Sequence, residues 1–335
     1  MTTLVTGGTG FVGSAVVRAL LGRGDDVVVM TRANSDRRLL DGLDVQTVIG
    51  DLDDPASLTA AVAGCDALYH VAADYRLWIP KPASIYRTNI EGSTSLMRAA
   101  AEAGVTRIVY TSSVATLGLT GDRTPADETT PTHVDRMIGH YKRSKYLAEQ
   151  AVQALIDDEG LPAVIVNPSA PIGPRDIKPT PTGRLVLDAA KGKMPAYVDT
   201  GLNVVHVDDV AMGHLQAFDQ GKIGERYILG GEDMTLGEIL GAIAENAGVK
   251  PPGIKLPIGL IMPIAYLTEA FWRLARRRDD PFVTVDGLKM AKKLMFFSSA
   301  KAEADLGYQP RPALQAFNDA LLWYREQGYL QSPMA

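Results

Sequence analysis

The chain has 335 residues, 46% of them hydrophobic and 22% charged, which is enough to bury a full core and too apolar for disorder. Its net charge of −5 excludes nucleic acid as the main partner, since phosphate backbones call for a clustered cationic surface. One cysteine, Cys65, permits no internal disulfide and reads as a small core residue, so a reducing cytoplasm is expected.

Apolar strand residues begin almost at once, at Thr2-Thr3-Leu4-Val5-Thr6, so no secretory leader is expected. In chain order, Leu4–Thr6 reads as a strand, Ser14–Gly22 as a helix, and Asp26–Met30 and Val45–Ile49 as strands. Ala67–Ala72 and Arg107–Thr111 continue the strands on either side of a helix over Glu91–Ala103. A helix over Tyr141–Ile156 then leads into a strand at Ala163–Val166. This alternation implies an α/β protein with a Rossmann-type doubly wound parallel sheet, covered on both faces. After it, Pro168, Pro171, Pro174, Pro179 and Pro181 mark a loop leaving the sheet. Helical stretches follow at Leu185–Lys191, Leu236–Ala247, Ile258–Arg278 and Ala313–Gln327, with returns to the sheet expected near Val204–His206 and Arg226–Leu229. The resulting division is a nucleotide-binding domain over 1–167, rejoined by about 204–230, and a smaller α/β substrate-binding domain over 168–203 and about 231–335. Leu256 to Leu267 is strongly apolar, but it is about half the length a spanning helix needs and carries Pro257 and Pro263.

The first turn reads Thr6-Gly7-Gly8-Thr9-Gly10-Phe11-Val12-Gly13, where Gly8-x-Gly10-x-x-Gly13 and Gly7-x-x-Gly10-x-x-Gly13 overlap. Gly7 and Gly10 allow a tight turn that brings backbone close to a pyrophosphate. Gly13 lets helix pack on strand, and the helix start at Phe11 and Val12 offers N–H donors and a partial positive charge. A glycine pattern alone is weak evidence; one that follows a strand and opens a helix is much stronger. A free ribose 2′-hydroxyl wants a carboxylate at the end of the second strand, yet that strand ends in Arg32, with Arg37 and Arg38 beyond it. Asp25 and Asp26 stand at its opposite end. Arginine suits a 2′-phosphate, so NADP(H) is expected over NAD(H), although Arg37 and Arg38 read equally well as solvated residues. Asp51 and Leu52 close the third strand, where Asp51 can meet an adenine amino group. Ala72 and Ala73 close the fourth with side chains small enough to let a cofactor pass.

Tyr141-Lys142-Arg143-Ser144-Lys145 lies on a helix, so Tyr141 and Lys145 share a face. A phenol titrating near 10 is a poor acid–base group at neutrality, and a neighbouring ammonium is expected to lower its pKa. Tyr110-Thr111-Ser112-Ser113 ends the fifth strand and brings a hydroxyl toward the same substrate oxygen. Tyr-x-x-x-Lys by itself usually marks a solvated helix face. Placed after this turn and this strand end, it points to hydride-transfer chemistry.

Together the glycine turn, Asn89, Ser113, Tyr141 and Lys145 resemble the extended short-chain dehydrogenase/reductase superfamily over nearly the whole length. Within it the chain is similar to dihydroflavonol reductase-like proteins, and most similar to the hopanoid-associated sugar epimerase family. The strings that carry this are His70-Val71-Ala72-Ala73-Asp74-Tyr75-Arg76-Leu77-Trp78, Ile138-Gly139-His140-Tyr141-Lys142-Arg143-Ser144-Lys145, Pro179-Thr180-Pro181-Thr182-Gly183-Arg184 and Met295-Phe296-Phe297-Ser298-Ser299-Ala300-Lys301. The resemblance implies that Ser113 is the catalytic serine and Tyr141 the acid–base residue. It implies that Lys145 also holds the nicotinamide ribose, that Asn89 supports the helix and a proton-relay water and that Pro168 borders the cofactor. It further implies a homodimer and a place in hopanoid lipid metabolism. Asn167-Pro168-Ser169 departs from the Asn-x-Tyr-Gly turn of nucleotide-sugar epimerases, which argues against a UDP-sugar substrate.

Asp74, Tyr75 and Trp78 follow the fourth strand, where a substrate meets the nicotinamide, and substrate contact is expected of them. His206-Val207-Asp208-Asp209 reads as a strand end leading into a capped helix, and no metal is expected. His140 points about 100° away from Tyr141 on a helix and is assigned no chemistry. Leu256 to Leu274 runs through Phe271 and Trp272 into Arg273, Arg276, Arg277 and Arg278. It suits either a lid over the cleft, the favoured reading, or a helix lying on the anionic inner membrane. The expected activity is that of an NADP-preferring oxidoreductase acting on a carbonyl, alcohol or sugar-like substrate, which the hopanoid resemblance allows to be lipid-linked. A redox-neutral epimerase and an NADP-sensing regulator are the alternatives.

Overall fold

The computed structural model describes residues 1–331 apart from 80, 81, 276, 278–280 and 282. Its strands are β1 (Thr2–Thr6), β2 (Asp26–Thr31), β3 (Gln46–Ile49), β4 (Ala67–His70), β5 (Arg107–Thr111), β6 (Ala163–Pro168), β7 (Ala170–Ile172), β8 (Ala196–Val198), β9 (Gly201–His206), β10 (Arg226–Leu229), β11 (Glu232–Thr235), β12 (Ile254–Leu256) and β13 (Leu294–Met295). The helices are α1 (Phe11–Arg23), α2 (Pro55–Val62), α3 (Ala83–Tyr86), α4 (Ser93–Glu102), α5 (Gly139–Glu159), α6 (Pro181–Ala190), α7 (Val207–Gln220), α8 (Leu236–Ala247), α9 (Ile258–Leu274), α10 (Val285–Ala291), α11 (Ala300–Leu306) and α12 (Ala313–Glu326).

Seven parallel strands run in the order β10-β6-β5-β4-β1-β2-β3. Because a pleated strand sends alternate side chains to opposite faces, this sheet has two cores. Val5, Val29, Tyr69, Val109 and Val166 pack with α1 and α7 on one face. Leu4, Met30, Leu68, Ile108 and Ile165 pack with α2, α4 and α5 on the other. The strand order reverses between β1 and β4, and doubly wound sheets hold dinucleotides in the crevice beyond such a reversal. Between α3 and α4 the residues Arg87–Gly92 form a single π turn, which interrupts one otherwise continuous helix and carries Asn89.

One expectation is corrected. Val204–His206 does not rejoin the large sheet, because β9 pairs with β11, β7 and β13 in a separate four-stranded sheet. An apolar run specifies a buried strand without specifying which sheet buries it. Arg226–Leu229 does return, pairing along β6. The smaller sheet packs against α6, α8 and α12 through Ile172, Val186, Val204, Ile239, Phe317 and Leu321. Helix α9 ends at Leu274, short of the expected 278, and positions 276 and 278 fall outside the described residues.

Candidate active site

At the sheet reversal the backbone is too close-packed for side chains. Gly7 has φ +71°, and a Cβ there would lie 2.8 Å from Ala72 N; a Cβ on Gly13 would lie 2.1 Å from Gly7 O. Helix α1 therefore starts tight against β1, with Gly10 as its N-cap, no side-chain cap and no acid in its first turn. Its opening N–H groups at Phe11, Val12 and Gly13 are the natural partners of a pyrophosphate. Three buried hydroxyls at carboxyl-terminal strand ends, those of Thr31, Ser112 and Ser169, lack a partner among the described residues. This cradle and these orphaned groups fit a dinucleotide. Ala72 N–H donates to Thr6 Oγ1 at 3.1 Å, Ala73 is half-buried, and buried Pro168 ends β6. Leu52 packs beneath Gly92, whose Cβ would stand 2.7 Å from its own, and the Asp51 carboxylate accepts from Asp53 N–H at 3.0 Å.

Arg32 stands exposed just past β2, its guanidinium without an ion pair among the described residues. Arg38 is engaged elsewhere, bonded to Asp36 at 2.8 Å and holding that carboxyl far below the usual carboxylate range. Of the arginines proposed for a 2′-phosphate, Arg32 is the one at the strand end, where its charge, after the Arg87 hydrogen bond, helps to lower the Asp53 carboxyl without forming an ion pair among the described residues.

Helix α5 carries Tyr141 and Lys145 one turn apart. Lys145 is only 3% exposed; its Nζ donates to Thr111 O at 2.8 Å and Tyr110 Oη at 3.3 Å, and lies 4.8 Å from the Tyr110 ring centroid. Burial brings this amine down to about 8, with Glu149 pulling the other way. Burial raises the Tyr141 phenol above its ordinary value, and a hydrogen bond with the Ser113 side chain opposes the rise. This departs from the expectation of a lowered phenol, because the ammonium is turned toward β5. Ser113 itself caps a short turn, accepting from Ala115 N–H at 3.1 Å. Asn167 donates to Ser113 O at 3.1 Å and to the buried Glu149 carboxylate at 2.8 Å.

Asn89 sits buried in the π turn of its helix. Its side chain accepts from Asp74 N–H (2.8 Å) and donates to Asp74 O (2.9 Å) and Ser144 Oγ (3.0 Å), clasping the loop after β4 to α5. Sequence reasoning missed a buried chain behind it. Thr6 Oγ1 meets His70 Nδ1 at 2.7 Å, and His70 Nε2 meets Ser93 Oγ at 2.9 Å. Burial first, and then the Lys145 charge, lower His70 to about 3, which keeps it neutral. A histidine inside an apolar strand was the available signal.

On the substrate side, the Asp74 carboxylate is paired with Arg76, whose Nε lies 2.9 Å away, so Asp74 shapes the loop. Tyr75 is 52% exposed. Trp78 lines a cavity of about 540 Å³ with His140, Tyr266, Glu269, Arg273 and Val285. The guanidinium of Arg273 sits 5.5 Å from the Trp78 ring centroid, and the buried indole N–H has no partner among the described residues. His140 Nδ1 is held by Tyr86 Oη at 3.0 Å. His206 caps α7, accepting from Asp208 N–H at 3.0 Å, and Cys65 is a buried core residue.

The chain is 43% identical to "Putative dihydroflavonol 4-reductase" of Synechocystis sp. over 98% of its length and 96% of that protein. It is 36% identical to "Sterol demethylase protein B" of Methylococcus capsulatus, over 98% of this chain and all of the relative. The solved structure titled "Crystal structure of gox2253" superposes with a TM-score of 0.89 at 54% identity, covering 98% of this chain and 99% of the other. Residues 3–230 match the family described as NAD dependent epimerase/dehydratase. With that match spanning the cradle, Ser113, Tyr141 and Lys145, the chain belongs to the NAD dependent epimerase/dehydratase family, as an NAD(P)-dependent oxidoreductase or epimerase of the extended short-chain type.

Proposed function

We propose that this enzyme is an NADP-preferring reductase that converts a carbonyl to a secondary alcohol, and the reverse, with Tyr141 as the acid–base residue. The observation that carries the reading is the placement of Tyr141 on α5 one helical turn from the buried amine of Lys145, with Ser113 the side chain that acts on its phenol. When bound, a reduced nicotinamide supplies the hydride to the carbonyl carbon. Tyr141 gives its proton to the carbonyl oxygen, and Ser113 donates a hydrogen bond to that same oxygen. A phenol raised by burial is fully protonated at neutral pH, which is the form reduction uses. As the phenolate forms, the Lys145 ammonium turns from Thr111 O to stabilise it, and it also binds the nicotinamide ribose. NAD(H) can use the same cradle, with Arg32 favouring the 2′-phosphate of NADP(H).

The substrate class that suits Leu77, Trp78 and Tyr266 is an apolar, lipid-linked carbonyl. The sterol named in the Methylococcus relative and the ketoreductase named in a Stigmatella aurantiaca relative agree with it. Hopanoid lipid metabolism, a cytoplasmic setting and a homodimer belong to the same reading. Redox-neutral epimerisation is the second reading, favoured by the family's name. The test is NADPH oxidation with a panel of long-chain and polycyclic ketones beside a panel of nucleotide sugars. Turnover of the ketones with net loss of NADPH is expected. Isomerised sugars without net loss would establish the epimerase instead.

A further inference from the structure

Helix α9 is apolar on both faces. Ile258, Ile261, Met262 and Ala265 turn inward and pack with Val283, Val285 and Leu288. On the other side Leu260, Ile264, Leu267, Phe271 and Leu274 are exposed by 69, 48, 72, 55 and 86%. Alternating steps of four and three residues keep these five in one line along the helix. A helix apolar all round belongs in an interior, yet here one face alone is covered. Between Ile258 and Thr268 the helix carries no charged residue.

Positive charge gathers at its far end. In sequence the helix runs into Arg273, Arg276, Arg277 and Arg278, of which Arg273 and Arg277 are described, and the rings of Phe271 and Trp272 meet edge to face at 5.6 Å. The Arg277 guanidinium lies 4.6 Å from the Trp272 ring centroid. Positions 251–300 hold eight lysines and arginines against four acids, in a chain whose net charge is −5. This stretch is thus cation-rich in a chain that is acidic as a whole.

We propose that the outer face of α9 seats the enzyme on an anionic lipid bilayer. The stripe enters the acyl boundary, the aromatic rings sit at headgroup depth and the described arginines at the helix end, Arg273 and Arg277, face the lipid phosphates. Among the described residues no helix is long and apolar enough to cross a membrane, so α9 lies on the surface. A second protein helix fits the stripe less well. The flanking positions carry no charges to fix a register, and Pro263 removes a backbone donor from the middle of the seam. The same helix lines the cavity beside Trp78 through Tyr266 and Glu269. Resting on the reductase reading above, an apolar carbonyl then passes from lipid into the cavity without crossing bulk water.

The test is flotation of the full chain with phosphatidylcholine vesicles containing phosphatidylglycerol, against vesicles of phosphatidylcholine alone. The native protein is expected to float with the anionic vesicles at low salt. The Leu267→Glu/Phe271→Glu variant should lose about tenfold or more in vesicle affinity, and Arg276→Glu/Arg277→Glu/Arg278→Glu should lose the preference for anionic lipid. Leu267 and Phe271 are exposed, so the first variant should keep the native Tm and NADPH affinity. It should still reduce a short water-soluble ketone while losing turnover of a long-chain ketone held in vesicles. A native chain that stays in the soluble fraction overturns the docking, as does a Leu267→Glu/Phe271→Glu variant that floats equally well. If that variant instead turns a dimer into a monomer with no vesicle binding in either form, the stripe joins two copies and the proposal falls. Flotation without reduction of either ketone would leave the docking standing and remove the reductase reading.

Discussion

Helices α5 and α9 both line the cavity beside Trp78, through His140 and through Tyr266 and Glu269, and they break the ordinary burial pattern in opposite directions. Helix α5 hides polar groups: Ser144, Lys145 and Glu149 are all 3% exposed or less. Each is tied into hydrogen bonds, with Asn89, Thr111 and Asn167 respectively. Helix α9 shows solvent a line of leucine, isoleucine and phenylalanine. Buried polar groups and exposed apolar patches are the observations that carry functional information, because the reverse arrangement is what folding alone produces. Under the two proposals above, the pair separates two tasks, proton and charge handling inside the sheet domain and contact with an apolar phase outside it.

The sharpest way to break this division is Tyr141→Phe. It should lower the rate of hydride transfer about 10²–10⁴-fold and leave NADPH affinity nearly unchanged, since the dinucleotide rests on the glycine cradle and Lys145. Single-turnover kinetics beside a fluorescence titration would show it, and a variant keeping more than about a tenth of the rate removes Tyr141 from the chemistry.

Lys145→Met should cost about tenfold or more in kcat/KM and also weaken cofactor binding, because one buried cation serves both. Its pH dependence has a definite sign. The folded value near 8 lies below the unfolded 10.5, so the ammonium predominates below about pH 8 and is lost as pH rises through it. Activity that needs the charge should fall above that pH in the free enzyme, and Lys145→Arg should move the limb upward. Stability runs the other way. The unfolded chain holds the extra proton between pH 8 and 10.5, so the penalty of the buried charge is fully present below 8 and fades across that window.

The two helices can also be compared by stability. Glu149→Ala leaves Arg226, Thr116 and Asn167 without their shared acceptor and should cost about 2–3 kcal/mol, discounted for a partly exposed Arg226. Leu267→Ala on the outer face of α9 should stay within about 0.5 kcal/mol, as measured by urea unfolding. A comparable loss at Leu267 would mean that the stripe already packs against something. The smallest effect is expected at the cofactor's far end, where Arg32→Ala should remove much of an NADP over NAD preference of about tenfold, the scale of one charge-assisted contact. Equal affinities in the native enzyme would leave Arg32 without that role.

The parallel sheet, the cradle and the Tyr141–Lys145 pair were legible because each rests on a local pattern: apolar runs of strand length, glycines before a helix, and two residues one helical turn apart. What stayed hidden depends on distant partners. Nothing near Asn89 in sequence announces Ser144, and nothing beside Lys145 says that Thr111 O will claim its ammonium. Strands as short as β7 and β13 carry no period of their own and form only along the edge of β9 opposite β11. The outer stripe of α9 was visible as composition, but which of its two apolar faces would be covered was decided by α10.

The π turn at Arg87–Gly92 acts as a change of gear. A turn closed i→i+5 takes up one residue more than an α turn, and at about 100° per residue it rotates everything beyond it. Ile85 and Leu96, about three α turns apart, would share a face on a regular helix. Here the helix before the turn faces the start of α5, while Leu96 and Met97 beyond it face the sheet. One continuous rod thus meets two neighbours at independent angles, with Asn89 sitting at the changeover. Loss of a single residue other than Asn89 from that turn would leave the site side chains in the sequence and still set the two halves of the rod out of phase.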